Sequence, residues 1–400
     1  MRYSAAIWFA VVVLIVQCTA RGQALYAGPT QWPSAGHTIA VAAGDLDGDG
    51  DADLVASNYA LGSISVFHNN GDATFAAQIP VPVSGGPHGV ALDDVDGNGW
   101  ADVVVTNLDV GTVSILLNGP DGLGPATAYP TNSAPWSVVL ADVDGDTHKD
   151  LLVVNYVSST LSVLLNNGDG TFGTQATYPT GPNPRLAAVS DIDGDGDQDI
   201  AVSDFFGDTV GVLKNNGNGT FAPRFTLSVP SRPFGLAMGD FDGDGDADIA
   251  AATMIEGGGT LYTFLNDGSG VFTAGSTYPV GRLAFYVAVD DANVDGHPDL
   301  LVCNYNDSSF GVLLGNGDGT FQSQISFGLA ATDGPNTMAI DDLDGDGDRD
   351  LALSNGAGVS LSVFKSRIVT PECRADVNGD GHVDIADLNA VLFAFGVECP

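Results

Sequence analysis

The feature that most limits how this chain can fold is a nine-residue acidic segment that returns seven times, starting at Asp45, Asp94, Asp142, Asp191, Asp240, Asp291 and Asp342. Successive copies lie 48 to 51 residues apart, and each has the same surroundings. An apolar run such as Val90-Ala91-Leu92 leads in; Asp102-Val103-Val104-Val105 follows, then Val113-Ser114-Ile115-Leu116-Leu117. A Gly/Asn-rich turn comes next, clearest as Asn166-Asn167-Gly168-Asp169-Gly170-Thr171-Phe172. A weaker fourth run then reaches a Pro/Gly stretch such as Thr180-Gly181-Pro182-Asn183-Pro184. Four short strands per unit, repeated seven times, predict an all-β fold: a seven-bladed β-propeller of four-stranded blades. A ring keeps sheet edges short and protected, whereas a linear array exposes them.

Ring closure can be read from the ends. The seventh unit stops after its third run, Leu361-Ser362-Val363-Phe364-Lys365, so its fourth strand must come from elsewhere. Ala24-Leu25-Tyr26 resembles the fourth runs Ala176-Thr177-Tyr178 and Ser276-Thr277-Tyr278. Residues 24–30 are therefore expected to complete the last blade.

The repeated segment also carries the most distinctive chemistry. In the first copy the acids fall at positions 1, 3, 5, 7 and 9, with Gly50 at 6. So many carboxylates in nine residues repel one another unless a cation neutralises them. Hard oxygen donors in a flexible loop suit Ca²⁺, and glycine permits the sharp turn. The expected ligands at positions 1, 3, 5 and 9 are Asp45, Asp47, Asp49 and Asp53 in the first loop. The second offers Asp94, Asp96, Asn98 and Asp102; the third, Asp142, Asp144, Asp146 and Asp150. Loops four and five offer Asp191, Asp193, Asp195 and Asp199, then Asp240, Asp242, Asp244 and Asp248. The last two offer Asp291, Asn293, Asp295 and Asp299, then Asp342, Asp344, Asp346 and Asp350. Thr147 replaces the usual glycine in the third loop, which predicts backbone strain and weaker calcium there. About seven calcium ions are expected in the ring.

The formal net charge is −38, with Asp+Glu 50 against Lys+Arg 12. No basic footprint exists for nucleic acid. Residues 1–24, with an apolar run from Ala5 to Val16 and small residues near Ala24, read as a secretory signal peptide. No further apolar segment is long enough to span a membrane, so a secreted or cell-surface-attached monomer is expected. Cys303 lies in the apolar run Leu300-Leu301-Val302-Cys303 and reads as a small buried hydrophobe, while Cys373 and Cys399 plausibly close a disulfide-bonded loop near the chain's end.

Repeated Asp-x-Asp-Gly-Asp-Gly-x-x-Asp together with Asn-Asn-Gly-Asp-Gly-Thr-Phe resembles the FG-GAP/VCBS repeat family, the calcium-loop propellers that include the integrin α-subunit head. The resemblance covers residues 36–368 and implies calcium between the first and second strands of each blade. The propeller is placed at residues 25–368. In residues 369–400, Asp376, Asn378, Asp380, Asp384 and Asp387 have EF-hand spacing around Gly381, with one further calcium ion expected. Leu388, Val391, Leu392 and Phe395 then have helical spacing. This calcium-loop/helix segment resembles half of a dockerin, which implies a cohesin-like partner or an attachment tag.

One position varies where its neighbours do not. Six residues before each acidic motif stand Ile39, His88, Trp136, Arg185, Phe234, Phe285 and Asn336. They begin the innermost strands and should ring the channel mouth opposite the acidic loops, where His88, Trp136, Arg185, Phe234, Phe285 and Asn336 could bind an extracellular glycan or protein ligand. The sequence holds no nucleophile elbow, zinc motif or phosphate loop. A recognition or adhesion module is the favoured reading. A polysaccharide-acting lyase or hydrolase, and a purely structural cell-surface protein, stay open.

Overall fold

The computed structural model describes residues 25–330 and 333–367. It contains seven four-stranded antiparallel sheets and, among the described residues, only two short 3₁₀ turns as helical structure. The first blade runs outward from Thr38–Gly44 through Asp53–Asn58 and Ser63–Phe67 to Ile79–Pro82. Later blades repeat this order, and the inner strands pack side by side around the ring, the first against the seventh. No helix among the described residues is long and apolar enough to cross a membrane.

The second strand of every blade is buried along its whole length, which explains why it reads as a continuous apolar run rather than an alternating one. Both faces meet a neighbouring blade, and side chains alternate between them. Leu54 and Ala56 pack with Ala352, Leu361 and Val363 of the seventh blade, whereas Val55 packs with Val103 and Val105 of the second. Cys303 sits in such a strand as a fully buried free thiol.

Chain ends do unite in the seventh blade, but in a different register from the one expected. Its outer strand is Thr30–Pro33, paired with Ser360–Phe364, and Trp32 opposite Leu361 occupies the place that Tyr178 holds opposite Leu161. Tyr26, which sequence likeness put in that strand, bridges Ser366 instead. It stands where Phe75, Phe172, Phe221 and Phe321 bridge in other blades, and meets Phe310 and Phe327 edge-on at 5.6 Å. The two aromatics carry out different halves of closure. Trp32 caps Phe75 of blade one, just as Tyr129 caps Phe172 and Tyr178 caps Phe221. The segment 1–24 expected as a signal peptide, the expected dockerin-like segment with its expected calcium ligands, and Cys373 with Cys399 lie outside the described residues.

Candidate functional site

Two constellations sit at opposite ends of the inner strands, about 20 Å apart if six residues each advance roughly 3.3 Å. At one end are the acidic loops. In all seven, the position-1 carboxylate accepts a hydrogen bond from the position-6 N–H. The buried position-9 carboxylate accepts one from an N–H at or just past the end of the third strand, for example Asn69 to Asp53 at 2.8 Å and, in the seventh blade, Ser366 to Asp350 at 2.7 Å. Burial pushes Asp102, Asp150, Asp199 and Asp248 up to about 6 and Asp299 and Asp350 up to about 7, against the pull of those N–H bonds.

The turn's first asparagine also staples blades together. The Asn118 amide donates to the Leu46 carbonyl of the preceding loop at 2.8 Å and to its own loop at Ala101. Asn69, Asn166, Asn215 and Asn266 do the same, Asn69 reaching back to Leu343 across the closure.

These loops have the donor set for a hard divalent cation. One oxygen each from Asp94, Asp96 and Asp102 converge within 4.8 Å, as they do from Asp191, Asp193 and Asp199. Oδ1 of Asp193, Asp242 and Asp344, all at position 3, is buried without a hydrogen-bond partner, so the fold leaves donors aimed inward that protein atoms do not satisfy. Two loops place a lysine against position 3, Lys214 at 3.1 Å from Asp193 and Lys365 at 3.2 Å from Asp344, and the first places the His68 ring 3.2 Å from Asp47. Thr147 has φ 77° while six glycines at that position span 89° to 95°. Val294, at position 4 of the sixth loop, has φ 54° and is a second β-branched residue in the left-handed region. Sequence reading had passed over it.

At the other end, all seven varied residues line one cavity of about 450 Å³. Their convergence has a local cause. Each inner strand shifts register where the varied residue stands, as between Pro87 and Val90, Pro135 and Ser137, Pro184 and Ala187, or Ala284 and Phe285's successor Tyr286. An extra residue at such a bulge turns its side chain out of the ladder. Buried hydroxyls hold the bulges: Ser57 accepts from the Ala40 N–H and donates to the His88 carbonyl of the next blade at 2.7 Å. Ser203 links Leu186 and Phe234 in the same way.

The cavity wall is largely aromatic. Phe285 stacks on Phe234 at 4.8 Å and on Tyr305 at 4.7 Å, and His88 leans on Trp136 at 4.0 Å. His88 Nδ1 lies 2.8 Å from the Trp136 carbonyl, and burial lowers its pKa to about 4. It is therefore neutral at pH 7, with Nδ1–H donating and Nε2 left as an acceptor. His37, Met254, Leu283 and Tyr305 also line the cavity, and sequence reading missed them. A signal existed for Tyr305 and for Tyr156 beside Trp136, since each directly follows the asparagine that ends a second strand.

A closed ring of seven blades, each with an acidic loop at one end and a varied residue at the other, defines a repeat-built propeller. FG-GAP-like repeats match residues 45–105, 94–153, 142–202, 191–251 and 291–353, more than half of the chain, and the protein belongs to that repeat family. Among curated proteins none matches. Solved structures share the fold. An Agrocybe aegerita lectin, described as recognising non-reducing terminal N-acetylglucosamine, is 22% identical with a TM-score of 0.51, over 73% of this chain and 80% of the lectin. BBS1N, in its complex with ARL6DN, is 13% identical with a TM-score of 0.60, over 86% and 98%. Kuenenia stuttgartiensis hydrazine synthase is 13% identical at 0.58, over 85% and 97%.

Proposed function

We propose that this is an exported, calcium-loaded recognition module whose channel mouth binds an extracellular glycan. The observation that carries the reading is the cavity: seven blades built on one pattern present seven residues there, and only Phe234 and Phe285 are alike. Flat aromatic faces with a few fixed polar groups suit the apolar faces and hydroxyls of a sugar. The lectin of the same fold supports a glycan, and the BBS1N complex keeps a protein ligand as the second reading. Among the described residues the cavity lining contains no Asp or Glu, so a lyase or hydrolase would have to draw on His37, His88, Tyr286 or Tyr305 for proton transfer.

Calcium belongs to this reading as the ring's stabiliser. It would be held by positions 1, 3, 5 and 9 of each loop, from Asp45, Asp47, Asp49 and Asp53 through Asp342, Asp344, Asp346 and Asp350. When bound it would supply the positive charge that lets the aspartates crowd together. Residues 1–24 as a leader and 369–400 as a dockerin-like attachment tail complete the proposed organisation, with residues 25–368 as the propeller.

The test is a glycan array probed with calcium-loaded protein, followed by titration of any hit. Trp136→Ala and Phe285→Ala should each weaken binding at least tenfold while circular dichroism stays unchanged. Equal affinity in both variants overturns the assignment of the mouth.

A further inference from the structure

Arg185 is the least explained residue in the molecule. It stands at the fourth bulge, is 8% exposed, and has its guanidinium carbon 4.2 Å from the ring centres of both Trp136 and Tyr156. Phe205 and Phe234 complete the enclosure at 4.8 and 5.1 Å. Its Nε is buried with no hydrogen-bond partner. Three other arginines form ion pairs, Arg224 with Asp204, Arg282 with Asp307 and Arg349 with Asp290, while Arg232 lies near Phe205 and Phe206 toward the surface. Among the described residues no carboxylate pairs with Arg185, although one residue in eight is acidic (50 of 400). Burial lowers its pKa to about 10, so it remains charged at neutral pH.

A desolvated cation without a counter-ion is costly to keep, and aromatic faces compensate only part of that cost. Flat rings cover the guanidinium faces and the Tyr156 side chain interacts with the group as well, which leaves Nε and the rest of the N–H edge for a partner. That edge is the fork that meets a carboxylate in two parallel hydrogen bonds. We infer that Arg185 is the anion-binding centre of the channel mouth, and that the ligand is an oligosaccharide carrying a uronic acid, its carboxylate on Arg185 and its ring against Phe234, Phe285 and Tyr305. This rests on the reading of the mouth as a glycan site and narrows it.

Charge count sets the ligand's valence. His88 is neutral and turns its Nδ1–H to a carbonyl, and among the described residues Arg185 is the one arginine or lysine lining the cavity. A monoanion matches it; a phosphate dianion would be left undercompensated. The chain's net charge of −38 does not forbid an acidic ligand. The aspartate loops lie about 20 Å away along the inner strands, well beyond the screening length of about 8 Å at physiological salt.

The experiment uses full-length calcium-loaded protein and oligosaccharides of galacturonic, glucuronic, mannuronic and guluronic acid, each beside its carboxyl-reduced neutral counterpart. Calorimetric titration should find at least one acid form bound tenfold or more tighter than its counterpart. Arg185→Met should bring that ratio to about one, and Arg185→Lys, which keeps the charge without the fork, should leave it between the two. If Arg185→Met does not fold, the lysine variant decides: an undiminished ratio overturns the inference. So does absence of acid preference in the wild type, or a sulfated neutral sugar binding more tightly than every uronate. If neutral glycans bind and Phe285→Ala removes that binding, the inference falls while the mouth assignment stands. If no acidic or neutral glycan shows mouth-dependent binding, both fall.

Discussion

At the loop end of the inner strands, the seven blades repeat the same hydrogen bonds around the same carboxylates. At the mouth end, 20 Å or so away by strand length, the seven equivalent positions carry six kinds of residue. The strands joining these ends are common to both, so fold requirements cannot account for the contrast. Repetition at the loops marks what packing one blade on the next uses: a buried position-9 carboxylate in all seven and an Asn staple in five. Variation at the mouth marks what packing does not dictate. Bulges explain how both are possible, because they release one side chain per blade from the ladder while Ser57 or Ser203 holds the backbone in place. The comparison predicts that the loop end controls stability and the mouth end controls binding.

The largest expected effect is at the loops. On the proposed calcium loading, removing metal should lower the melting temperature by roughly 15 °C or more, since seven ions binding only the folded ring would each stabilise it by mass action. A change below about 3 °C in dialysed, metal-free protein would break the comparison at its strongest point. The metal-free chain should also show an inverted pH response. Burial raises six of the seven position-9 carboxyls from 3.8 to about 6 or 7, and Asp53 in the same direction, so the folded state binds their protons more tightly than the unfolded one. The stability they contribute is fully present below about pH 4 and lost as pH rises through 6 to 7. Metal-free protein should therefore melt higher at pH 5 than at pH 7.5. Calcium should reverse that order, because protons then compete with it for the same oxygens.

Closure comes second. A chain beginning at Ser34 lacks the outer strand Thr30–Pro33 and should melt roughly 5–10 °C lower with calcium present. A chain beginning at Thr30 keeps the strand but loses Tyr26, and should fall between that variant and the full chain. Identical melting of the two truncations would mean that Thr30–Pro33 contributes nothing and that Tyr26 alone closes the ring.

That pair of truncations also shows what the sequence could and could not convey. Blade number and strand order were legible because each second strand is buried on both faces and each loop repeats its acids. That the ends meet was legible because the seventh unit lacked a strand. The register was not. Ala-Leu-Tyr26 and Gln-Trp32-Pro33 both look like a fourth run, and only the pairing of Trp32 with Leu361 tells them apart. The mouth positions were visible as the odd residues of a repeat. Tyr156 and Phe205 pack against Arg185 and Tyr305 lines the cavity; each follows a second strand and is brought there by packing that no spacing encodes. Val294 escaped notice because it stands at position 4, where no ligand is expected.

The smallest effect concerns the loops' own uniformity. Thr147 and Gly50 are equivalent, and each N–H bonds the position-1 carboxylate, at 2.9 and 3.1 Å. A Cβ added to Gly50 would meet nothing within 4 Å, so a side chain there costs only the left-handed backbone, whose φ is 94°. Gly50→Thr should then destabilise by about 1–2 kcal/mol. Thr147→Gly should gain less, about 0.5–1 kcal/mol, because the relieved strain is partly offset by the freer unfolded glycine. Calcium titration of the two variants should move in the same sense, with the third loop strengthened and the first weakened. Equal stability of both variants and the parent would mean that the third loop's backbone is as relaxed as the others, and that its departure from the repeat has no energetic consequence.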